Sequence, residues 1–349
     1  MNKIRDYIVK KGEKIEIALR KLNSLPNEKI LFVVDDNKKL YGSISDGDIR
    51  RSIITKKSIK LNVEDVCQRK PKFIIYDDKE FSNLLSFRNS GVKIIPIIDR
   101  KNMTIKRIIN FNQLKSFLPI EVVIMAGGKG KRLGELTKKI PKPLLPIGGK
   151  PIMEHQIERL QSFGIEKFWF CINYLGEMIQ DYFKKGSANV SFNYIKEKKS
   201  LGTIGGISEI KGFNKEDILI SNSDLITNLN YEDFYLNFLK NKADMSVVTI
   251  PYDIKIPYGV LECKNNFVSN IVEKPTYTHF SNAGIYLIKK KFLKEIKRET
   301  FFNATDLIKV LVEKNKRVIS YPFNGYWLDI GNPDDYNRAL NEYKNSKIK

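Results

Sequence analysis

Between Val122 and Lys150 the chain reads VVIMAGGKGKRLGELTKKIPKPLLPIGGK, and this stretch gathers the side chains best suited to handling phosphate. Gly127, Gly128 and Gly130 are interleaved with Lys129, Lys131 and Arg132. Glycines let backbone N–H groups approach a ligand closely, and the basic side chains complement a polyphosphate. Lys142 follows ten residues after Arg132, between Pro141 and Pro143, which stiffen the backbone around it. Two common phosphate loops are excluded. A P-loop needs Gly-Lys followed by Ser or Thr, whereas Gly130-Lys131 precedes Arg132 and Gly149-Lys150 precedes Pro151. The dinucleotide fingerprint G-x-G-x-x-G fails too, because Gly134 comes one position late after Gly128 and Gly130.

Such a loop needs a rigid frame. Residues 122–125 are a short apolar run of the kind a buried parallel strand shows, so the glycines open at its carboxyl end. Residues 152–163 have helical periodicity and stop at Gly164; residues 167–172 read as a strand and 177–183 as a helix. Residues 190–194, 218–220 and 268–272 are further strands, and 302–314 a further helix. This alternation points to an α/β domain with a mixed, mostly parallel sheet whose ligand lies beyond the strands' carboxyl ends.

The stretch 122–150 resembles the signature of the sugar nucleotidyltransferases, which join a nucleoside triphosphate to a sugar 1-phosphate and release pyrophosphate. Five later segments resemble motifs of the same family. Leu201-Gly202-Thr203-Ile204-Gly205 is similar to its LGTAG loop, and Asn222-Ser223-Asp224 to its NGD segment, with Ser223 in place of glycine. Glu273-Lys274-Pro275 and Asn282-Ala283-Gly284-Ile285-Tyr286 match its EKP and NAGIY segments. Trp327-Leu328-Asp329-Ile330-Gly331-Asn332-Pro333 resembles W-x-D-I-G-T-P, with Asn332 in place of threonine.

The resemblance implies a Rossmann-like nucleotidyltransferase domain and a residue-by-residue site. Ala126, Gly127, Gly128, Gly130, Lys131, Arg132, Gly202 and Thr203 are expected to bind the nucleotide. Glu273, Lys274, Asn282 and Gly284 are expected on the sugar phosphate, and Asp224 and Asp329 on a Mg²⁺ cofactor. Arg132, Lys142, Asp224 and Asp329 form the implied catalytic set. Arg132 grips the β- and γ-phosphates, and Lys142 neutralises charge where the two substrates' phosphates meet. The attacking sugar phosphate is already ionised, so catalysis rests on positioning and charge neutralisation without a general base.

The first 118 residues partly repeat after a shift of 64: Lys29-Ile30-Leu31-Phe32-Val33-Val34-Asp35 aligns with Lys93-Ile94-Ile95-Pro96-Ile97-Ile98-Asp99. Helical stretches precede both, at residues 15–25 and 80–89. This half resembles a tandem CBS-domain pair, an α+β regulatory module of two βαββα-type units. The resemblance implies an adenine nucleotide, with Ser45 towards its phosphate and Asp48 on its ribose, and a homodimer formed through the pair. The residues alone fit a helix cap equally well, with Asp48 capping a helix that starts near Ile49. The shift carries Gly42, Ser45 and Asp48 onto Lys106, Ile109 and Asn112, so one nucleotide site is expected, formed mainly by the first copy. The expected division is 1–118 for the CBS pair and 119–349 for the catalytic domain.

Composition narrows the alternatives. No apolar run is long enough to cross a membrane, and residues 1–14 lack a signal peptide's apolar core, so a cytoplasmic protein without membrane partners is expected. Cys67, Cys171 and Cys263 are odd in number and far apart, which suits neither a disulfide framework nor a zinc site. The net charge of +21 is divided between residues 1–118, with 26 Lys+Arg against 14 Asp+Glu, and the remainder. No recognisable nucleic-acid module accompanies it, so small anionic substrates are the expected partners rather than nucleic acid. His155 and His279 belong to no triad pattern.

The motif set looks most like guanylyl and mannose-type enzymes. A CBS pair fused ahead of such a domain resembles the bacterial guanylyltransferases acting on glucosamine 1-phosphate in the GDP-sugar route to legionaminic acid. GTP and glucosamine 1-phosphate are therefore the expected substrates. Uridylyl or cytidylyl transfer, or mannose, glucose or heptose 1-phosphate, stay open. A rival reading, a CBS-type sensor that has lost turnover, conflicts with the intact Arg132, Lys142, Asp224 and Asp329.

Overall fold

The computed structural model describes residues 4–25, 29–75, 81–184 and 190–344. The chain forms two compact units, Met1–Phe117 and Leu118–Lys349. No helix among the described residues is long and apolar enough to cross a membrane.

The first unit contains β1 (Ile8–Lys10), α1 (Ile15–Ser24), β2 (Ile30–Val34), β3 (Leu40–Ser45) and α2 (Asp46–Lys56), then β4 (Ile74–Ile75), α3 (Phe81–Asn89), β5 (Ile94–Ile98) and β6 (Ile105–Asn110). Residue 80, expected to open the third helix, lies outside the described residues. Two three-stranded sheets result, ordered β1-β2-β3 and β4-β5-β6. In each, the first pair is parallel and the second antiparallel. The repeat extends to detail, since the ladder shifts at Val33/Val34 in one hairpin and at Ile97/Ile98 in the other. β2 and β5, almost wholly apolar, are the buried central strands. The second copy corrects one expectation: it has no closing helix. After β6 the Asn110 carboxamide accepts from the Asn112 amide and turns the chain, and Leu114 and Phe117 pack into the core instead.

Ser45 and Asp48 take the capping role. The helix begins at Asp46, three residues ahead of the expected start, with Ser45 as N-cap. The Asp48 amide donates to Ser45 Oγ (3.2 Å), while the Ser45 amide (2.9 Å) and hydroxyl (2.6 Å) donate to Asp48 Oδ2. Arg51 and Gln68 donate to Oδ1 at 2.7 and 3.1 Å. Burial works to raise this carboxyl, but the hydrogen bonds from Ser45, Gln68 and Arg51 outweigh it and hold Asp48 below its usual range. All of its acceptor capacity is committed to the fold.

The second unit runs through β7 (Ile120–Ala126), the short strands β8 (Pro146–Ile147) and β9 (Lys150–Pro151), α4 (Ile152–Ser162), β10 (Lys167–Ile172), α5 (Gly176–Phe183), β11 (Ser191–Lys196), β12 (Asp217–Asn222) and β13 (Leu225–Thr227). It continues with α6 (Tyr231–Lys240), β14 (Met245–Lys255), β15 (Val260–Lys264), β16 (Phe267–Val272), β17 (Thr276–Lys289), α7 (Ala304–Glu313), β18 (Val318–Pro322), β19 (Trp327–Asp329) and α8 (Pro333–Lys344). Seven strands form one sheet in the order β11-β10-β7-β12-β17-β14-β18. All pairs are parallel except those of β17 with β12 and β14, so the sheet is mixed and mostly parallel, as the alternation predicts. β7 lies inside the sheet between β10 and β12 and delivers the glycine loop at its carboxyl end. The one charge inside β7, Glu121, is buried but satisfied by Trp169 Nε1 (2.7 Å) and the Asn214 and Lys215 amides. β16 forms where a strand was expected, at 268–272; among the described residues it pairs only with β15, and it is exposed throughout.

Removing the Ser45 hydroxyl deletes an acceptor for a helix amide. Ser45→Ala is expected to cost about 1 kcal/mol, the usual loss for an N-cap, in the first unit. Because the native Asp48 pKa is depressed, its contribution is present above the unfolded carboxylate pKa and is lost as pH falls through the native value. Denaturant titration at neutral pH checks the first point, and an unchanged midpoint contradicts it.

Candidate active site

The glycine loop leads from β7 into a short 3-10 helix, Lys131–Thr137, and its shape is held by the Thr137 hydroxyl, which donates to the Gly130 carbonyl at 2.9 Å. Gly130 has φ +62° there. A second short turn, Lys142–Leu144, starts behind Pro141 and buries the Lys142 stem. Across from it, β12 ends in the turn Ser223-Asp224, and β13 pairs antiparallel with β19 so that Leu225 stands opposite Asp329. The Ile330 amide donates to the Asp224 carbonyl at 3.1 Å. Two distant segments are thereby locked side by side.

Lys142 Nζ lies between the two carboxylates. It donates to Asp224 Oδ2 and stands 3.7 Å from Asp329 Oδ1. Burial and the neighbouring Asp224 charge raise the Asp329 carboxyl above its usual range, against Lys142 and Arg132, which lower it. Among the described residues, Asp224 Oδ1 and Asp329 Oδ1 are both buried without a hydrogen-bond partner. Paired hard oxygens of this kind suit Mg²⁺, which one or two carboxylates commonly hold together with water and substrate phosphates. Among the described residues no group of three or more His, Cys, Asp or Glu could hold a metal alone, so a metal ion here would need further ligands from outside the chain. Arg132 is exposed at the corner where β19 turns into α8; a Cβ placed on Gly331 would lie 3.3 Å from its Nη2.

A cavity of about 210 Å³ opens beside Lys142 and Asp224, lined by Gly127, Gly128, Gly202, Thr203, Asn222 and Ser223 among others. Gly202 has φ +82°, and a Cβ there would fall 2.7 Å from the Phe302 carbonyl. Thr203 lines the cavity and is also tied to the fold. Its amide donates to Asn303 Oδ1 (3.1 Å) and its hydroxyl accepts from the Ala304 amide (2.9 Å), tying the loop to the start of α7. Asp306 completes that helix cap by accepting from the Asn303 amide at 2.9 Å. Ile204 is buried in the core with Ile207 and Ile210.

One residue at the cavity has no signal in the sequence. Glu197 follows β11 within a Glu-Lys-Lys run that reads as solvated, yet it is 8% exposed and lines the cavity. Its amide donates to the Ile172 carbonyl (2.9 Å), and its carbonyl accepts from Asn173 Nδ2 (2.8 Å). Burial pushes its carboxyl up to about 7, with a backbone hydrogen bond from Leu201 working the other way. Oε2 sits 3.2 Å from where a Cβ of Gly127 would lie and Oε1 2.2 Å from one on Gly206. The glycines are the clearance for this carboxylate.

The sugar-side residues divide. Asn282 Oδ1 accepts from the Gly284 amide (2.9 Å), and its Nδ2 donates to the Tyr286 hydroxyl (2.8 Å). A Cβ on Gly284, whose φ is +74°, would meet Asn222 Nδ2 at 2.5 Å, which places this turn directly against the cavity wall. Gln156 from α4 fixes that wall by donating to Ser221 Oγ and the Asn222 carbonyl at 2.7 and 2.9 Å. Glu273 and Lys274, in contrast, are exposed in the bend between β16 and β17 and do not line the cavity. Ala126, Gly130 and Lys131 stand behind or beside the loop and are not part of the lining either. His155 Nε2 bonds the Ile147 carbonyl at 2.8 Å.

The chain belongs to the nucleotidyl transferase family, whose model matches residues 121–346. Within it, the chain is 34% identical over 241 residues to the bifunctional protein GlmU of Methanococcus maripaludis, covering 66% of this chain and 56% of that one. It thus spans little more than half the length of these relatives. It is 31% identical over 229 residues to the D-glycero-alpha-D-manno-heptose 1-phosphate guanylyltransferase of Aneurinibacillus thermoaerophilus, covering 64% of this chain and 98% of the relative. The crystal structure of HddC from Yersinia pseudotuberculosis superposes with a TM-score of 0.51 at 29% identity, over 64% of this chain and 99% of that one. A second structure of HddC is complexed with GMP-PN.

Gly206→Ala drives a methyl group into Glu197 Oε1 and must displace the carboxylate. Nucleoside triphosphate affinity, measured by calorimetry, is expected to fall on the order of 10-fold, the equivalent of one net hydrogen bond to a charged group. Wild-type affinity in this variant contradicts the placement of Glu197 at the nucleotide.

Proposed function

We propose that the chain is a Mg²⁺-dependent sugar-1-phosphate guanylyltransferase, converting GTP and glucosamine 1-phosphate to GDP-glucosamine and pyrophosphate. The observation that carries the choice of base is the buried Glu197 carboxylate at the cavity. Guanine alone among the four bases presents two adjacent donors on one edge, N1–H and N2–H₂, which match the two oxygens of a carboxylate. Adenine and cytosine would turn a ring-nitrogen acceptor towards it. The guanylyltransferase relative and the GMP-PN complex of HddC support the same reading. The resemblance of the fused arrangement to enzymes of the legionaminic acid route supports glucosamine 1-phosphate as acceptor.

In this reading the sugar phosphate attacks the α-phosphorus in line, and the P–O bond to the β-phosphate breaks to release pyrophosphate. Lys142, buried between Asp224 and Asp329, meets the negative charge that gathers on the bridging oxygens. Arg132 stabilises the departing pyrophosphate. Mg²⁺ held by Asp224 and Asp329 would supply further charge neutralisation and alignment of the phosphates. The glycine loop contributes backbone amides and room, and Asn282 with Gly284 orients the sugar.

The first unit is proposed to be a CBS-type regulatory module that also forms the homodimer. A cavity of about 500 Å³ lined by Lys29, Ser45, Gln68, Lys70, Lys72 and Lys93 supports an adenine nucleotide there, with the lysines on its phosphates. Asp48, already saturated, is not assigned to the ribose. Lys93 comes from the second copy, so both copies build this pocket.

Lys142→Ala and Asp224→Ala are each expected to reduce kcat by about 10²–10³, the usual effect of removing one such electrostatic group, with thermal stability retained. Near wild-type turnover removes that residue from the mechanism. Glu197→Gln is expected to lower the preference for GTP over ATP by roughly 10- to 100-fold, as loss of a bidentate base contact does. With its carboxyl at about 7, Glu197 is the ionised acceptor only above that pH, so kcat/KM for GTP should rise with pH through about 7. That step should vanish in Glu197→Gln; its persistence assigns the titration to another group.

A further inference from the structure

Part of the second unit leaves the main sheet with its apolar surface uncovered. β18 accompanies β14 only as far as Thr249, and β12 accompanies β17 only from Ile285 on, so the segments between run out as a two-stranded ribbon. Beyond it, among the described residues, β15 and β16 pair only with each other. Such a hairpin is marginal in water unless a further strand or a packed face supports it. Ten large apolar side chains between Tyr252 and Phe280 are exposed here, a higher density than scattered surface residues explain.

The pleat sorts them by face. Leu261 pairs with Ile271 and Cys263 with Val268, and the ladder shift between Glu262 and Cys263 keeps both pairs on one side of the hairpin. That side is entirely apolar at these four positions. The charge balance is equally local. Residues 251–280 hold Asp253, Glu262 and Glu273 against Lys255, Lys264 and Lys274, a net charge of zero in a chain of +21. A neutral apolar arm is the part of so basic a molecule that two copies can bring together without repulsion, whereas an acidic partner would be drawn to other surfaces. The exposed side chains offer on the order of 1,000 Å², against the ~800 Å² each partner gives in a standard interface.

We propose that this arm docks on the arm of a second copy in a two-fold contact centred on Leu261, Cys263, Val268 and Ile271. The contact reaches the sugar side of the reaction. Glu273 Oε2 and the Ile271 side chain both lie against Gly259, so packing on Ile271 fixes the Glu273 bend. This consequence rests on the sugar-side role that the family motif implies for Glu273, which stands outside the cavity lining.

Cys263 is an inbuilt reporter, since it is exposed on the docking face while Cys67 and Cys171 are buried. A short bismaleimide applied to the full-length wild-type protein is expected to yield a covalent dimer that Cys263→Ser does not form. The pair Leu261→Asp/Ile271→Asp should reduce cross-linking on the order of 10-fold and raise KM for sugar 1-phosphate by a similar factor, with KM for GTP unchanged. No covalent dimer, with Cys263 alkylated equally fast at every protein concentration, overturns the docking. Absence of the dimer with Cys263 protected at every concentration also overturns it, in favour of a cover within the same chain. Cross-linking lost with an unchanged sugar KM upholds the docking and overturns the link to Glu273.

Discussion

A buried lysine between two aspartates is the constraint on which the second unit depends. Lys142 is 9% exposed, and taking its charge out of water costs several kcal/mol unless it is paired. Asp224 and Asp329 provide that pairing, and in turn Lys142 and Arg132 oppose the burial and the Asp224 charge that raise the Asp329 carboxyl. Two carboxylates, one ammonium group and two unbonded carboxylate oxygens make an arrangement poorly satisfied by itself. It is well suited to a site whose substrate brings phosphates and whose catalysis consists of managing their charge.

The fold serves this cluster by joining distant segments. The β13–β19 pair brings Asp224 and Asp329 together across more than a hundred residues, and the turn behind Pro141 inserts Lys142 between them. On the other side of the cavity, close packing replaces charge. Gly127, Gly206 and Gly284 each stand where a side chain would strike Glu197 or Asn222. The Gly202-Thr203 loop is fastened to α7 through Thr203 and Asn303, so its position is set by a helix cap rather than by the loop's own sequence.

The mixed, mostly parallel sheet and the glycine loop were legible because each leaves a local mark, whereas Asp224 and Asp329 were paired only through the family motifs that hold them. Apolar runs mark the strands, and glycine and lysine mark the phosphate loop. Glu197 left none, since its burial arises from β10, β11 and the Gly206 turn meeting in space. The bonds of the Thr203 amide and hydroxyl to Asn303 and Ala304 left no mark for a similar reason, because those partners lie one hundred residues away. Ser45 and Asp48 show the opposite case, in which local spacing alone predicts a cap and the cap is what forms. The missing helix after β6 was hidden because a repeat in sequence does not reveal where the second copy stops.

The most direct test of the account is pyrophosphate release by the full chain, with each of four nucleoside triphosphates crossed against glucosamine, mannose, glucose and heptose 1-phosphates, with and without Mg²⁺. Turnover with GTP is expected far above that with the other three, strongest with glucosamine 1-phosphate and dependent on Mg²⁺. Release favouring another base contradicts the role given to Glu197. No release with any pair contradicts the reading of the Lys142, Asp224 and Asp329 cluster as a catalytic centre.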